Sequence, residues 1–427
     1  MAPSHLTAGC SLHRMGGMKT RLNMLGSYGD WAAGRVDAGP GLLSLRNPRW
    51  TSVEEWRKTA RAELARSLCR PTENENKDAA ASDVVVKRSS ERDGLSIEEI
   101  SWQLPWGPRT EAVFLKPKGA AGRLPGVLAL HDHAGNKYFG KRKITRAAAP
   151  PHPMMEQHQG LYYGGVAWAD ELARKGFAVL VHDTFPFESR KVLASDLPPY
   201  AVQRLMSDPE NAREVTPEDL RSTDPVRRYD VPADEPEAAI TAYNAFAAQH
   251  ETLVAKSLFS AGTTWPGVAL AEDMAALSYL ASRPDVDPVR LACGGLSGGG
   301  MRTAFLAGTD DRIRCAFTAG FMTTWSDFCR NVSYTHTWMA FAPGLPELLD
   351  FPEVLGLRAP LPSLVIATTE DPLFTLSETE RAGRILGEVY AKAGAPDAFQ
   401  ISILPGPHKF DRPMQEMTFA WMKRWLA

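Results

Sequence analysis

Ser297 sits in the run Ala292-Cys293-Gly294-Gly295-Leu296-Ser297-Gly298-Gly299-Gly300, between an apolar, strand-like stretch and a helix-like one. Gly295-Leu296-Ser297-Gly298-Gly299 fits the G-x-S-x-G nucleophile elbow, a sharp strand-to-helix turn that lifts a serine hydroxyl clear of the sheet. Glycine is needed two residues before and two after because a Cβ at either place would collide in so tight a turn. A serine attacks a carbonyl only when a base takes its proton and a third group orients that base. His408, in "PGPHKFDRP", follows the strand-like "FQISIL" and is the only histidine after His336. The acid falls after "SLVIATT", at Glu370 or Asp371 in "TTEDPLF"; Asp371 is preferred because Pro372 would hold it at a rigid turn, and Glu370 is the fallback. Serine, acid and histidine thus follow one another on loops after successive strands, the chain order this elbow requires.

The developing oxyanion needs two N–H donors. Gly298, directly after the serine, supplies one. The other falls in "LALHDHAGNKYFG", where the N–H of His133 is the choice and that of Ala134 the alternative. A phosphate-cradling reading of the glycines would want G-x-G-x-x-G or a G-K-[ST] ending, whereas Met301 and Arg302 follow them. A metal reading would draw on His131, Asp132, His133 and the later His182-Asp183. The run lacks the H-x-H-x-D-H spacing of a binuclear metallohydrolase, and the chain has no H-E-x-x-H, so no metal or cofactor is assigned. His182 and Asp183 read more simply as a strand-end pair hydrogen-bonded in the core.

These residues need a frame, and the chain supplies an alternating one. The β-rich runs "LSIEEISWQL", "EAVFLKP" and "LPGVLALHDHAG" lead. After them come a helix over 165–175 ended at Gly176, the buried strand "FAVLVHD", and the helix "WPGVALAEDMAALSYLASRP" feeding "VRLACGG". A helix from Gly299, the strand "CAFTAG", the strand "SLVIATT", a helix from Leu376 to Ala393, the edge strand "FQISIL" and a closing helix complete the series. This alternation specifies an α/β fold with a mainly parallel sheet covered on both faces, whose ligands bind beyond the carboxyl ends of the strands. Residues 95–427 form that domain, with an insertion at about 184–263 expected to be a helical cap. Residues 1–94 hold an irregular arm to about Asn47, a helix in "TSVEEWRKTARAELARSLCRP" and a polar linker. Ser52 with Glu55, and Thr375 with Glu378, are candidate capping boxes.

Composition narrows the class. The 427 residues are 44% hydrophobic and 23% charged with a net charge of −2, which suits a globular core and gives no electrostatic case for nucleic acid or an anionic membrane surface. The five scattered cysteines form no C-x-x-C pair, and no apolar run reaches the length of a membrane span. An early "LTAGC" lacks the apolar core of a signal peptide, so a cytoplasmic protein is the default expectation.

With these residues in place the chain resembles an α/β-hydrolase of the acetylxylan-esterase and dienelactone-hydrolase kind, from about Leu95 onward. The resemblance rests on "LHDHAG", "TEDPLF", "PGPHKFDRPMQ" and most of all on the block from Trp265 through the elbow to Cys315. It implies Ser297 as nucleophile, His408 as base, Asp371 as orienting acid, and backbone N–H groups near His133 and at Gly298 for the oxyanion. It also implies a small-molecule or carbohydrate ester as substrate. Two features depart from the pattern: dienelactone hydrolases use cysteine where this chain has Ser297, and many relatives read His-Gly where this chain reads His131-Asp132-His133. "GFMTTWSDF" and "SYTHTWMAFAPGLP" follow the sixth strand of the core and either shape the pocket or fill the core. An amidase or peptidase on the same triad, and a catalytically silent binding module on the same fold, are the competing expectations.

Overall fold

The computed structural model describes residues 22–37, 39–72, 79–147, 150–206 and 229–427. The early "LTAGC" and part of the linker and of the insertion lie outside them. Nine strands build one sheet: β1 (Ser82–Arg92), β2 (Leu95–Gln103), β3 (Thr110–Pro117), β4 (Leu124–Leu130), β5 (Ala178–His182), β6 (Val286–Leu296), β7 (Ile313–Ala319), β8 (Ser363–Thr368) and β9 (Phe399–Leu404). Their order is β1-β2-β3-β5-β4-β6-β7-β8-β9. Pairings are antiparallel from β1 through β3 to β5 and parallel from there to β9. The sheet therefore begins at Ser82, ahead of the expected domain start at residue 95.

The helices of six or more residues among the described residues are α1 (Gly29–Asp37), α2 (Val53–Leu68), α3 (Pro153–Tyr163), α4 (Trp168–Arg174), α5 (Pro199–Met206), α6 (Glu237–Ser260), α7 (Trp265–Ser282), α8 (Gly298–Thr309), α9 (Phe351–Gly356), α10 (Leu376–Lys392) and α11 (Arg412–Leu426). Period-two alternation splits the strands' apolar residues between two cores. Phe114, Leu128, Leu130 and Leu180 join Leu277, Leu306 and Leu386 on one face of the sheet. Val113, Val127, Ala129 and Val179 join Trp168, Leu172 and Met422 on the other. Central strands buried on both faces need continuous apolar runs, which is why "GVLAL" and "AVLV" read as they do.

The amino-terminal segment is part of this layering. In α2, Trp56, Ala60, Leu64 and Leu68 recur on one face and are buried in the first core, and the Trp56 indole N–H donates to the Leu43 carbonyl at 2.6 Å. Ser52 caps the helix by accepting from the Glu55 N–H at 3.2 Å. The irregular arm expected up to Asn47 instead contains α1. Its weak local signal is offset by tertiary ion pairs, Asp30 with Arg330 and Asp37 with both Arg330 and Arg381. Thr375 makes no side-chain cap at the start of α10; its N–H donates to Asp327 at 3.0 Å, and the Glu378 carboxylate accepts from the Thr324 hydroxyl. The reciprocal capping box of the chain is at Asp350 and Glu353, heading α9. In the insertion, α6 packs Ile240, Tyr243 and Phe246 over Tyr138, Phe139 and Met155, a small core of its own above the carboxyl end of the sheet.

Candidate active site

Every residue singled out for chemistry falls at a carboxyl end of the parallel strands. Ser297 links β6 to α8 with φ +56° and ψ −120°, a backbone conformation costly for any residue with a Cβ and tolerated where the surroundings over-determine it. Two hydrogen bonds hold it: the Ser297 N–H donates to Ala319 O at 2.8 Å, and the Met301 N–H donates to Ser297 O at 2.9 Å. The flanking glycines are sterically required, since a Cβ on Gly295 or Gly299 would lie 2.1 or 2.2 Å from Leu130 O. The turn is the strained elbow that the glycine spacing predicts.

The loops after β8 and β9 are joined to each other. The Thr369 N–H donates to Leu404 O and the Glu370 N–H to Gly406 O, each at 3.0 Å, so the acid loop and the histidine loop are tied into one unit. Across that unit His408 Nδ1 lies 2.6 Å from Asp371 Oδ2. Asp371 Oδ1 accepts from the Leu373 N–H at 2.9 Å, and the Asp371 side chain is only 5% exposed. Glu370 is exposed to solvent. The pair therefore forms through Asp371, and Glu370 contributes its backbone. Behind the ring, Gly320 at the end of β7 has φ +55°, and a Cβ there would stand 2.8 Å from His408 Cε1.

The His131-Asp132-His133 loop after β4 reaches the same place: a Cβ on Gly298 would be 3.0 Å from the His133 backbone nitrogen. The buried Lys143 ammonium donates to the carbonyls of Asp132 and His133, both at 2.8 Å, which anchors this stretch of backbone. Asp132 is buried beneath the loop, accepting from the Tyr163 hydroxyl and lying 3.2 Å from His158 Nε2. Burial alone would raise the Asp132 carboxyl, but His158 and Lys143 outweigh it and hold it well below the usual carboxylate range. Burial, with Arg302 and Lys143 nearby, holds His131 neutral.

The residues of the metal reading are each engaged by other partners. His131 Nδ1 lies 3.0 Å from Asp132 O. His182 and Asp183 are buried and hydrogen-bonded in the core, as expected, each to its own partner. His182 Nε2 bonds Asp273 of α7 at 3.0 Å, while Asp183 accepts from Lys141 Nζ at 2.8 Å. Among the described residues no group of three or more His, Cys, Asp or Glu side chains is gathered to hold a metal ion.

Ser297, Gly298, His133 and His408 line one pocket of about 250 Å³ together with Tyr162, Met301, Phe321, His336 and Leu373. Among the described residues no Asp, Glu, Lys or Arg is in its lining. Both aromatic segments after β7 divide between pocket and core. Phe321, Thr335 and His336 face the cavity, whereas Trp325, Phe328 and Met339 are buried in the first core. Sequence reasoning missed Tyr162, whose ring meets His408 edge-on at 6.3 Å. It lies in "GLYYGG" at the end of α3, and its only signal is a tyrosine pair before two glycines. Sequence reasoning also missed Glu251, which bonds His133 from the insertion, and Lys137, which pairs with Glu251.

Residues 259–406, the stretch that carries the elbow and the acid, match the prolyl oligopeptidase family of serine peptidases. A protein of Bacillus subtilis (strain 168) assigned as the hydrolase YtaP is 22% identical over 353 residues, which is 80% of this chain and 92% of that one. Two solved structures share the architecture. One, from Bacteroides fragilis NCTC 9343 and assigned as an acetyl xylan esterase, superposes with a TM-score of 0.61 at 14% identity, covering 92% of this chain and 84% of that one. The other, a glucuronoyl esterase from Solibacter usitatus, gives 0.58 at 13% identity, with 91% and 97% covered. The chain thus shares the architecture of these α/β-hydrolase structures, a mostly parallel sheet flanked by helices.

Proposed function

We propose that the protein is a serine carboxylic-ester hydrolase working through Ser297, His408 and Asp371, with the N–H groups of His133 and Gly298 as the oxyanion hole. The observation that carries the reading is the 2.6 Å bond between His408 and Asp371 at the wall of the pocket that Ser297 also lines. With Asp371 accepting from Nδ1–H, His408 presents Nε2 as the base. Ser297 Oγ attacks the ester carbonyl as its proton passes to His408 Nε2, and the carbonyl oxygen takes up the negative charge between the two N–H groups. Collapse expels the alcohol, which leaves with the proton from His408. Water then gives a proton to His408, attacks the acyl-serine, and releases the carboxylic acid and free Ser297.

The pocket supports a neutral substrate of modest size. Among the described residues the lining holds no Lys or Arg to pair with a free carboxylate, and about 250 Å³ suits a short acyl chain with part of its alcohol. Acetylated or otherwise esterified carbohydrates enter as candidates because the structural relatives are esterases of that kind. The match to prolyl oligopeptidases favours amide or peptide cleavage as a second reading. Short-chain p-nitrophenyl esters run beside the matching p-nitroanilides separate the two.

The first test is fluorophosphonate labelling of the wild type and of Ser297→Ala, with p-nitrophenyl acetate turnover measured on both. Labelling and turnover in the wild type, both absent from the variant, are expected. A wild type that neither labels nor turns over would instead favour a silent binding module.

A further inference from the structure

The insertion contacts the oxyanion loop through one carboxylate. Glu251 lies on α6, within the inserted segment, and its Oε1 is 2.9 Å from His133 Nε2 and 2.5 Å from Lys137 Nζ. Lys137 follows on the same loop, its side chain 3% exposed. The Gly135 N–H donates to His133 Nδ1 at 3.0 Å, so Nδ1 carries the lone pair and Nε2 carries the proton that Glu251 accepts. The loop needs such fixing, because Ala134 (φ +42°) and Gly135 (φ +65°) are consecutive left-handed residues and the first has a Cβ. Phe187 closes the other side of the His133 ring, edge-on at 5.5 Å. The acceptor stays ionised: burial would raise the Glu251 carboxyl, but His133 and Lys137 bring it down to about 2.

We infer that Glu251 is a positioning residue. By fixing the tautomer and the rotamer of His133 from the insertion, it aims the His133 backbone N–H at the place where the substrate's oxyanion forms. The inference rests on the proposed role of His133 in the oxyanion hole. A hydrogen bond that holds a side chain in place transmits to the backbone here because Nδ1, Nε2 and the two carbonyls flanking the loop are all engaged at once. An oxyanion donor displaced by a fraction of an ångström stabilises the transition state less while leaving ground-state binding nearly intact.

The test is a double-mutant cycle between Glu251→Ala and His133→Ala on full-length protein, with p-nitrophenyl acetate as substrate. Both single variants should lose kcat by about 30-fold with KM little changed, short of the ~10²- to 10³-fold loss of a deleted donor. The double variant should be no slower than either single one, because the two groups act as one device. Glu251→Gln keeps an acceptor for Nε2–H and should recover most of kcat; it also serves if Glu251→Ala does not fold. Wild-type kcat in a folded Glu251→Ala variant, additive losses in the cycle, or losses confined to KM overturn the inference. So does a Glu251→Gln variant that folds to the wild-type melting temperature yet is as slow as Glu251→Ala. A Ser297→Ala variant assayed alongside separates the two levels. If it stays active, the triad itself has failed; if it is inert while the Glu251 results are negative, only the positioning role is lost.

Discussion

At the scale of single residues, the structure separates the carboxylate that meets His408 from a neighbour that merely shares its loop. Asp371 and Glu370 are adjacent in sequence, yet one carboxylate bonds His408 and the other faces solvent. Asp371→Asn should lower kcat by about 10²- to 10⁴-fold, because an amide cannot hold the imidazole in the Nδ1–H tautomer and stabilise the imidazolium. Glu370→Gln should stay within about twofold of the wild type, as an exposed side chain with no role in the pair. Steady-state kinetics on short-chain p-nitrophenyl esters read both, and equal losses in the two variants would remove Asp371 from its role. Proline following the acid pointed to Asp371 from sequence alone. The burial that isolates the pair depends on loops distant in the chain.

At the scale of elements, chemistry is placed by the ends of four parallel strands and by the backbone at their junctions. Gly320 shows how closely β7 and the histidine loop fit, since its Cα is backed directly by the imidazole edge. Gly320→Ala should displace that ring and cost about 10²-fold in kcat, the scale of a catalytic group moved by about 1 Å. The same variant also strains a left-handed backbone, so a melting curve should accompany the kinetics. Full activity with an unchanged melting temperature would mean that the ring has slack not seen in the structure. This glycine gave no sequence signal, as "TAGF" ends a strand like many others. The elbow, by contrast, was legible because glycines crowd a single turn within five residues. Helix α3 was not legible: it follows a proline-rich stretch and is capped by His152 instead of a serine, threonine or aspartate.

At the scale of the whole molecule, the amino-terminal helix, the sheet and its flanking helices share cores, so titration of one buried group reports on global stability. Asp170 on α4 is 2% exposed, and burial pushes its carboxyl up to about 6 despite the Arg146 N–H it accepts at 3.2 Å. A carboxyl whose pKa is raised by folding binds its proton more tightly in the native state. Its contribution to stability is therefore full below about pH 4 and is lost as the pH rises through about 6. For a change of about two pH units the loss is on the order of 3 kcal/mol. Asp170→Asn should remove that slope, so urea denaturation at pH 4, 5, 6 and 7 should give a flatter stability profile than the wild type. Parallel profiles for the two proteins would show that Asp170 titrates normally. Among the described residues no helix is long and apolar enough to cross a membrane.

By itself the sequence determined the alternation of strands and helices, the strained turn at Ser297 and the order of serine, acid and histidine. Those are local properties: period-two and period-3.6 patterning, glycine density and loop position are written within a few residues of one another. Only the tertiary structure decided which carboxylate meets His408, where α1 forms, and that Glu251 from the insertion holds His133. Each of these depends on contacts between segments over a hundred or more positions, or across separate loops, where no periodicity records the partner and packing and burial make the choice.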